Sequence, residues 1–272
     1  MKISIFFSFL QKMASEENIS LDEALAYANK QGITGVQMGH GEVMSREAAT
    51  YEAALKKTGI SIMCIHCGAR FGSEDQALFQ SSLEYVKAVC DKAIELDAEF
   101  IMILPVALED VNGESDRQRA LLRSIEGLKI VAAYIQDKPL TMVIENISRY
   151  ILPYSTKGDL KTLVEQVPGL TLALDMGNFR WACEDPLEAY DHLSRWYTLV
   201  HAKDMGPTAE SNLKTRRGEC MINVPFGQGE VPVSTLMERL KEDGYRGWYV
   251  IEYSEDRVKT IIPEAIKYLR QF

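Results

Sequence analysis

No run of about 20 apolar residues occurs in the 272-residue chain, so no transmembrane helix is expected. Basic charge is scarce. Against 39 Asp and Glu stand 30 Lys and Arg, a formal net charge of −9. A surface of that sign repels phosphate backbones and anionic lipid, so neither a nucleic-acid nor a membrane partner is expected. Cysteine is sparse and odd in number: Cys64, Cys67, Cys90, Cys183 and Cys220 follow no regular spacing. That argues against a disulfide framework and fits a reducing cytoplasm. No Pro-, Gly- or Ser-rich linker and no low-complexity tract divides the chain, so one domain spanning 1–272 is expected. The opening MKISIFFSFLQKMASEEN has the lysine and apolar run of a secretion signal. The run is short, however, and the acidic Glu16 and Glu17 follow without a clear cleavage pattern, so it reads as a first strand.

What the chain does have is alternation. Strand-like runs are ISIFF (3–7), TGVQM (34–38), ISIMCIH (60–66), FIMIL (100–104), LTMVIE (140–145), LTLALD (170–175), YTLVH (197–201) and WYVIE (248–252). They are mostly continuous apolar runs, the pattern of strands buried on both faces in a parallel sheet. Helical periodicity fills the gaps at 21–30, 47–57, 76–96, 116–135, 157–166, 187–193, 233–241 and 263–269. Gly32 and Gly59 stand where left-handed helix ends are expected. Eight βα units predict an α/β fold of the (β/α)8 TIM-barrel type, with a doubly wound open sheet as the alternative.

Four consecutive strands end in a metal-competent side chain: Glu145, Asp175, His201 and Glu252. Strand C-termini share one rim of a barrel, where active sites sit, so the four should converge. Three clustered carboxylates would repel one another without a cation. Oxygen-rich ligation with one nitrogen suits a single divalent ion, Mn²⁺ first or Mg²⁺, with Co²⁺ or Zn²⁺ as alternatives. The competing reading, four independent polar strand terminators, weakens when the four occur in a row.

Other rim residues carry two readings each. His66 closes the third strand and is either a substrate contact or a satisfied core histidine. Cys64, His66 and Cys67 have no partner pair at zinc spacing, which argues against a thiolate site. Lys203 could position substrate, brace a metal-binding carboxylate or form a plain salt bridge. Arg216 and Arg217, in the long segment 205–224, could hold a phosphate or sugar hydroxyl, or be solvated charges. Trp181 could stack on a sugar face or pack in the core, and Arg180 beside it is equally ambiguous. The GQG at 227–229 permits close backbone approach but is too weak to mark a nucleotide loop, and Gln228 and Glu230 stay open.

The motifs VIEN, LALDMGN, VHAKD with VPFGQGEVP, and YVIEYSED resemble, in order and approximate spacing, those of the xylose-isomerase-like sugar and sugar-phosphate isomerase/epimerase superfamily. IHCGARFGS (65–73), DMGN and NVPFGQGEV are most similar to the pentulose-5-phosphate 3-epimerases. The resemblance implies that Glu145, Asp175, His201 and Glu252 bind the metal and that Glu145 and Glu252 double as a proton-transfer pair. Ketose 3-epimerases of free sugars often carry histidine where this chain has Asn178, which weakens that variant and leaves Asn178 as a candidate substrate contact. The implied reaction is isomerisation or epimerisation of a ketose or ketose phosphate through a metal-bound enediolate. The resemblance also implies a homo-oligomer. A dehydratase of the inosose or dehydroshikimate type and a non-catalytic sugar-binding barrel are the alternatives. The superfamily's apurinic endonucleases need a histidine-rich zinc site, and four histidines with a net charge of −9 argue against one.

Overall fold

The computed structural model describes residues 1–209, 211, 213–253 and 257–272. The apolar runs become parallel strands β1 (Lys2–Phe6), β2 (Gly35–Gly39), β3 (Ser61–Gly68), β4 (Phe100–Leu104), β5 (Thr141–Glu145), β6 (Thr171–Asp175) and β7 (Tyr197–Ala202). A short hairpin, β8 (Asp204–Pro207) and β9 (Met221–Val224), precedes the last barrel strand, β10 (Trp248–Ile251). Around the barrel the order is β1-β10-β7-β6-β5-β4-β3-β2, closed by the β2–β1 pairing. The fold is therefore the closed (β/α)8 barrel, not an open sheet.

Both faces of each strand are covered, which is why the strands read as unbroken apolar runs. Inside the barrel, Met63, Cys64, Phe100, Met102, Val143, Ala173, Leu199, Trp248 and Val250 form a plug. Outward-facing Ile5, Val36, Ile65, Ile101, Ile144, Leu174 and Ile251 belong to a second, larger core shared with the helices. Those helices are α1 (Phe7–Glu16), α2 (Leu21–Gln31), α3 (His40–Val43), α4 (Ala48–Thr58), α5 (Gln76–Glu95), α6 (Glu114–Ile135), α7 (Lys157–Gln166), α8 (Pro186–Leu193), α9 (Val233–Glu242) and α10 (Val258–Leu269). Gly32 (φ 104°) and Gly59 (φ 72°) end α2 and α4 in the left-handed conformation, as their positions predict.

Three departures from the sequence reading have physical causes. Helix α1 follows β1 with no loop, and Phe7, assigned to the first strand, is its first residue. Its buried Phe7, Phe9, Leu10 and Met13 are spaced for one helical face, but they continue an apolar strand and so mask the boundary. Helix α10 begins five residues before the expected Pro263. Proline inside a helix removes one hydrogen bond to the carbonyl four residues earlier. That carbonyl, on Lys259, instead accepts from the Tyr27 hydroxyl at 2.9 Å, so the helix runs through. The segment after β7, read as a plain loop, contains the β8–β9 hairpin.

The hairpin is anchored by a buried carboxylate. Asp204 accepts from the backbone N–H groups of Met205 and Val231 through Oδ1, and from those of Gly227 and Gly229 through Oδ2, at 2.8–3.2 Å. Close backbone approach explains the glycines. A Cβ on Gly229 would lie 2.2 Å from Asp204 Oδ1, and one on Gly227 (φ 87°) would lie 2.2 Å from the Tyr268 ring. The GQG run thus wraps a protein carboxylate. Asp204→Ala would strand four N–H donors, of which each buried one costs about 1–3 kcal/mol. With partial rehydration of the loop, urea unfolding should show a loss of about 2–4 kcal/mol. A change below about 0.5 kcal/mol would remove Asp204 as the anchor.

Candidate metal centre

Strand register brings the four strand-end residues together. Asp175 pairs with His201 across β6 and β7, and Glu145 pairs with Ala173 across β5 and β6. Glu252, one residue past β10, donates its N–H to Ala202 O at 3.2 Å. One oxygen or nitrogen from each of Glu145, Asp175, His201 and Glu252 lies within 4.8 Å of the other three. Asp175 and His201 are fully buried, while the Glu145 and Glu252 side chains are 14% and 18% exposed. The cluster therefore has a closed floor and two carboxylates facing the mouth.

Local structure fixes the direction of each group. Asp175 Oδ1 accepts from the N–H of Gly177 at 2.9 Å and of Asn178 at 2.7 Å, turning Oδ2 into the cluster. Asn178 Nδ2 donates to Asn146 O at 2.9 Å, and Asn146 Nδ2 donates to Asp175 O at 3.2 Å. This reciprocal pair ties the end of β5 to the end of β6. Lys203 Nζ lies 2.6 Å from Glu252 Oε1 and 3.4 Å from Asp175 Oδ2. Its stem passes Gly177, where a Cβ would come within 3.0 Å of Lys203 Cγ. His201 Nε2 lies 3.1 Å from Gln37 Oε1, and the Phe6 ring packs edge-on against both His201 and His66.

The polar atoms left over are informative. His201 Nδ1 lies 2.8 Å from Glu145 Oε2 and 3.0 Å from Glu252 Oε2. These are close approaches, yet His201 Nδ1, Glu145 Oε2 and Asp175 Oδ2 are buried without a hydrogen-bond partner in acceptable geometry. Three buried polar atoms without a hydrogen-bond partner, in a cluster whose ligand atoms lie within 4.8 Å of one another, fit a cation. Charge agrees. Three carboxylates against the one ammonium of Lys203 leave −2 when the imidazole is neutral, which one divalent ion cancels. The donor set, three oxygens and one imidazole nitrogen, suits Mn²⁺, Mg²⁺, Co²⁺ or Zn²⁺.

Electrostatics without a cation express the same crowding. Burial raises the pKa of Asp175, opposed chiefly by the Lys203 ammonium. Burial would also raise that of Glu252, but Lys203 and His201 outweigh it and hold Glu252 low. Burial alone would lower the pKa of His201, yet the Glu145 and Glu252 carboxylates push it up to about 10. His66 is brought down to about 4 by burial and by the charge on His201, and so stays neutral.

The remaining sequence candidates are spread more widely. His66 lies at the cluster's edge beside Phe6, its Nδ1 buried and unpartnered. Lys203 sits within the cluster. Asn178 spends its N–H on Asp175 Oδ1 and its Nδ2 on Asn146 O. Trp181 is 3% exposed, a member of the larger core, and its carbonyl accepts from the Arg216 N–H at 2.9 Å. Arg180 pairs with Glu230 at 2.8 Å. Arg216 and Arg217 are exposed and line separate grooves of about 650 and 480 Å³, the first with Arg117 and Lys157, the second with Arg180 and Glu230. Residues 254–256, the SED of the last motif, lie outside the described residues. Gln37 was missed by the sequence reading. Its signal is a lone amide in the otherwise apolar TGVQM.

The sequence model of the xylose isomerase-like TIM barrel family matches residues 25–272. The chain belongs to this family. It is similar to the L-ribulose-5-phosphate 3-epimerase UlaE of Escherichia coli strain SMS-3-5, with 26% identity over 260 residues, 90% of this chain and 86% of the relative. UlaE of Escherichia coli O17:K52:H18 is 27% identical over 220 residues, 79% and 72% of the two chains. Among solved structures, the D-allulose 3-epimerase of Methylomonas sp. superposes with a TM-score of 0.76 at 15% identity, covering 100% of this chain and 97% of that one. The probable 3-DHS dehydratase AsbF of Bacillus anthracis gives 0.74 at 18% identity, covering 99% of each. At these identities the structural likenesses speak to fold alone. No described helix is long and apolar enough to cross a membrane.

The proton on His201 Nδ1 must leave before that nitrogen can bind a cation. Because the group holds its proton up to about pH 10, Mn²⁺ affinity should rise between pH 6.5 and 8, by at most about tenfold per unit for this proton. Calorimetry in buffers of different ionisation enthalpy should detect the released proton. An affinity flat with pH and no proton release would count against His201 as a ligand.

Proposed function

We propose that this protein is a divalent-metal-dependent epimerase or isomerase of a ketose phosphate, with Glu145 and Glu252 as the proton-transfer pair. The observation that carries the reading is the convergence of orphaned lone pairs from Glu145, Asp175 and His201, with the Glu252 carboxylate beside them. The similarity to UlaE over 90% of the chain supports a pentulose 5-phosphate as the first substrate class to try. A cation held there would supply polarisation of a substrate carbonyl and its neighbouring hydroxyl, acidifying the carbon-bound proton between them.

The chain's own residues do the rest. Glu145 and Glu252 are the two partly exposed members of the cluster, so each can reach a substrate in the mouth. Lys203 donates to Glu252 Oε1 and keeps that carboxylate ionised, the form able to accept a proton from carbon. Glu145 stands across His201 from it and, in its protonated form, would deliver a proton to the opposite face as Glu252 takes one up, which inverts the carbon. Delivery to the neighbouring carbon instead would interconvert ketose and aldose. Asp175, whose Oδ1 is committed to the backbone, serves as a fixed anionic anchor. The Phe6 ring limits water on the His201 side of the mouth.

Manganese-loaded enzyme, exchanged into Mg²⁺ and incubated in D₂O with ketoses, pentulose 5-phosphates and inososes, should place deuterium on one substrate carbon and yield a new epimer or isomer by NMR. Glu145→Gln and Glu252→Gln should each keep the melting temperature and lose about 10²–10⁴-fold in turnover, the usual size of a general acid–base contribution. Activity near wild type in either variant would remove that residue from the pair. A dehydrated product would assign the site to elimination chemistry, and metal binding without exchange on any compound would contradict the epimerase reading.

A further inference from the structure

We infer that Gln37 and Met102 together set the tautomer of His201, and so aim its Nδ1 lone pair at the metal position; this rests on the metal-site reading above. Gln37 faces the barrel interior because its neighbours on β2, Val36 and Met38, face the outer core, and the β2–β3 register beside it slips by one residue. Val36 pairs with Ile62 but Gln37 pairs with Cys64, leaving Met63 as an extra residue on β3. Bulges of this kind re-aim side chains near active sites. Gln37 is 2% exposed and His201 is fully buried, so neither can turn to water for a partner.

The amide has two ends and two neighbours. Its Oε1 lies 3.1 Å from His201 Nε2, and its Nε2 lies 3.7 Å from Met102 Sδ. A thioether sulfur accepts weakly and cannot donate. With Oε1 toward the histidine, the imidazole donates from Nε2 and the amide donates to sulfur. Reversal would set Oε1 against the sulfur lone pairs and the NH₂ against the imidazole. His201 would then have to accept at Nε2 and carry its hydrogen on Nδ1, where the cation belongs. Met102 therefore biases the amide, the amide biases the ring, and the ring presents a bare Nδ1. Partners of this type hold ligand histidines in orientation elsewhere.

The test uses full-length protein and Mn²⁺ alone, titrated by calorimetry. Gln37→Leu should weaken binding about 10–100-fold, the usual effect of losing such a partner. Gln37→Glu keeps an acceptor toward Nε2 and, although it adds a fourth buried carboxylate, should bind Mn²⁺ more tightly than Gln37→Leu. Met102→Leu conserves volume and removes only the sulfur acceptor, so it should fold and bind about three- to tenfold more weakly. In Zn²⁺-loaded protein, long-range ¹H–¹⁵N spectra should show His201 with hydrogen on Nε2 only. A Gln37→Leu affinity within twofold of wild type, or a wild-type hydrogen on Nδ1, would overturn the relay. If Gln37→Leu does not fold, the Met102→Leu titration and the wild-type spectrum decide, and an unchanged Met102→Leu affinity overturns the sulfur's part. Wild-type protein that binds neither ion would refute the metal reading itself, and the relay with it.

Discussion

The repulsion among three carboxylates at the end of one barrel constrains everything around them. Glu145, Asp175 and Glu252 approach a common point where water is largely excluded. Bringing unpaired charges there costs several kcal/mol apiece. Lys203 offsets one of them by lying 2.6 Å from Glu252 and 3.4 Å from Asp175. His201, placed between Glu145 and Glu252, offsets a second only while it holds a proton. A divalent cation would offset both remaining charges with the imidazole neutral and able to serve as a ligand. A divalent cation there would bring the cluster to neutrality, and that charge balance is what supports the metal-site proposal.

Holding such a cluster requires backbone order that packing alone does not give. The barrel provides it in layers. The apolar plug from Trp248 to Val143 closes the interior beneath the acidic layer and leaves its members no direction but the mouth. Above the plug, hydrogen bonds take over from packing. The Gly177 and Asn178 N–H groups hold one oxygen of Asp175, and the Asn146–Asn178 exchange ties two strand ends together. Gly177 is small because the Lys203 stem passes beside it. Next along the chain, Asp204 gathers four N–H groups of the following loop. The adjacent residues Lys203 and Asp204 thus do unlike work: one offsets a single carboxylate charge of the site, the other shapes the loop beside it.

How much of this the sequence discloses depends on the range of the interaction. Strand ends are local: an apolar run terminated by Glu145 or His201 is visible in the sequence, and parallel pairing then places such ends on one rim. Helix ends at Gly32 and Gly59 are local too. The β8–β9 hairpin is not, because Met221–Val224 is short and mixed in polarity and gains its identity from pairing with Asp204–Pro207. Pro263 signals a helix start by every local rule, and only Tyr27, far away in the chain, lets α10 run through it. Asn178 and Trp181 carry the same ambiguity. Both are competent to meet a sugar, and both here have polar or apolar engagements with the protein that their neighbours in sequence do not reveal. Gln37 is the sharpest case, since its meaning depends on His201 and Met102, both far from it in the chain.

The same distinction explains why fold and metal chemistry are easier to read than substrate. The four candidate ligands sit at strand ends, where register and closure permit little variation. The groups that would discriminate one sugar from another sit on the βα segments, among them the exposed Arg216 and Arg217. A phosphate needs cations that its carbon skeleton does not, and those cations are free to change without disturbing the barrel. The proposed proton-transfer pair would be indifferent to that choice: a carbonyl, a neighbouring hydroxyl and an acidified C–H are common to ketoses with and without phosphate. On the proposed function, catalytic chemistry would be a property of the rigid layer, and specificity a property of the rim above it.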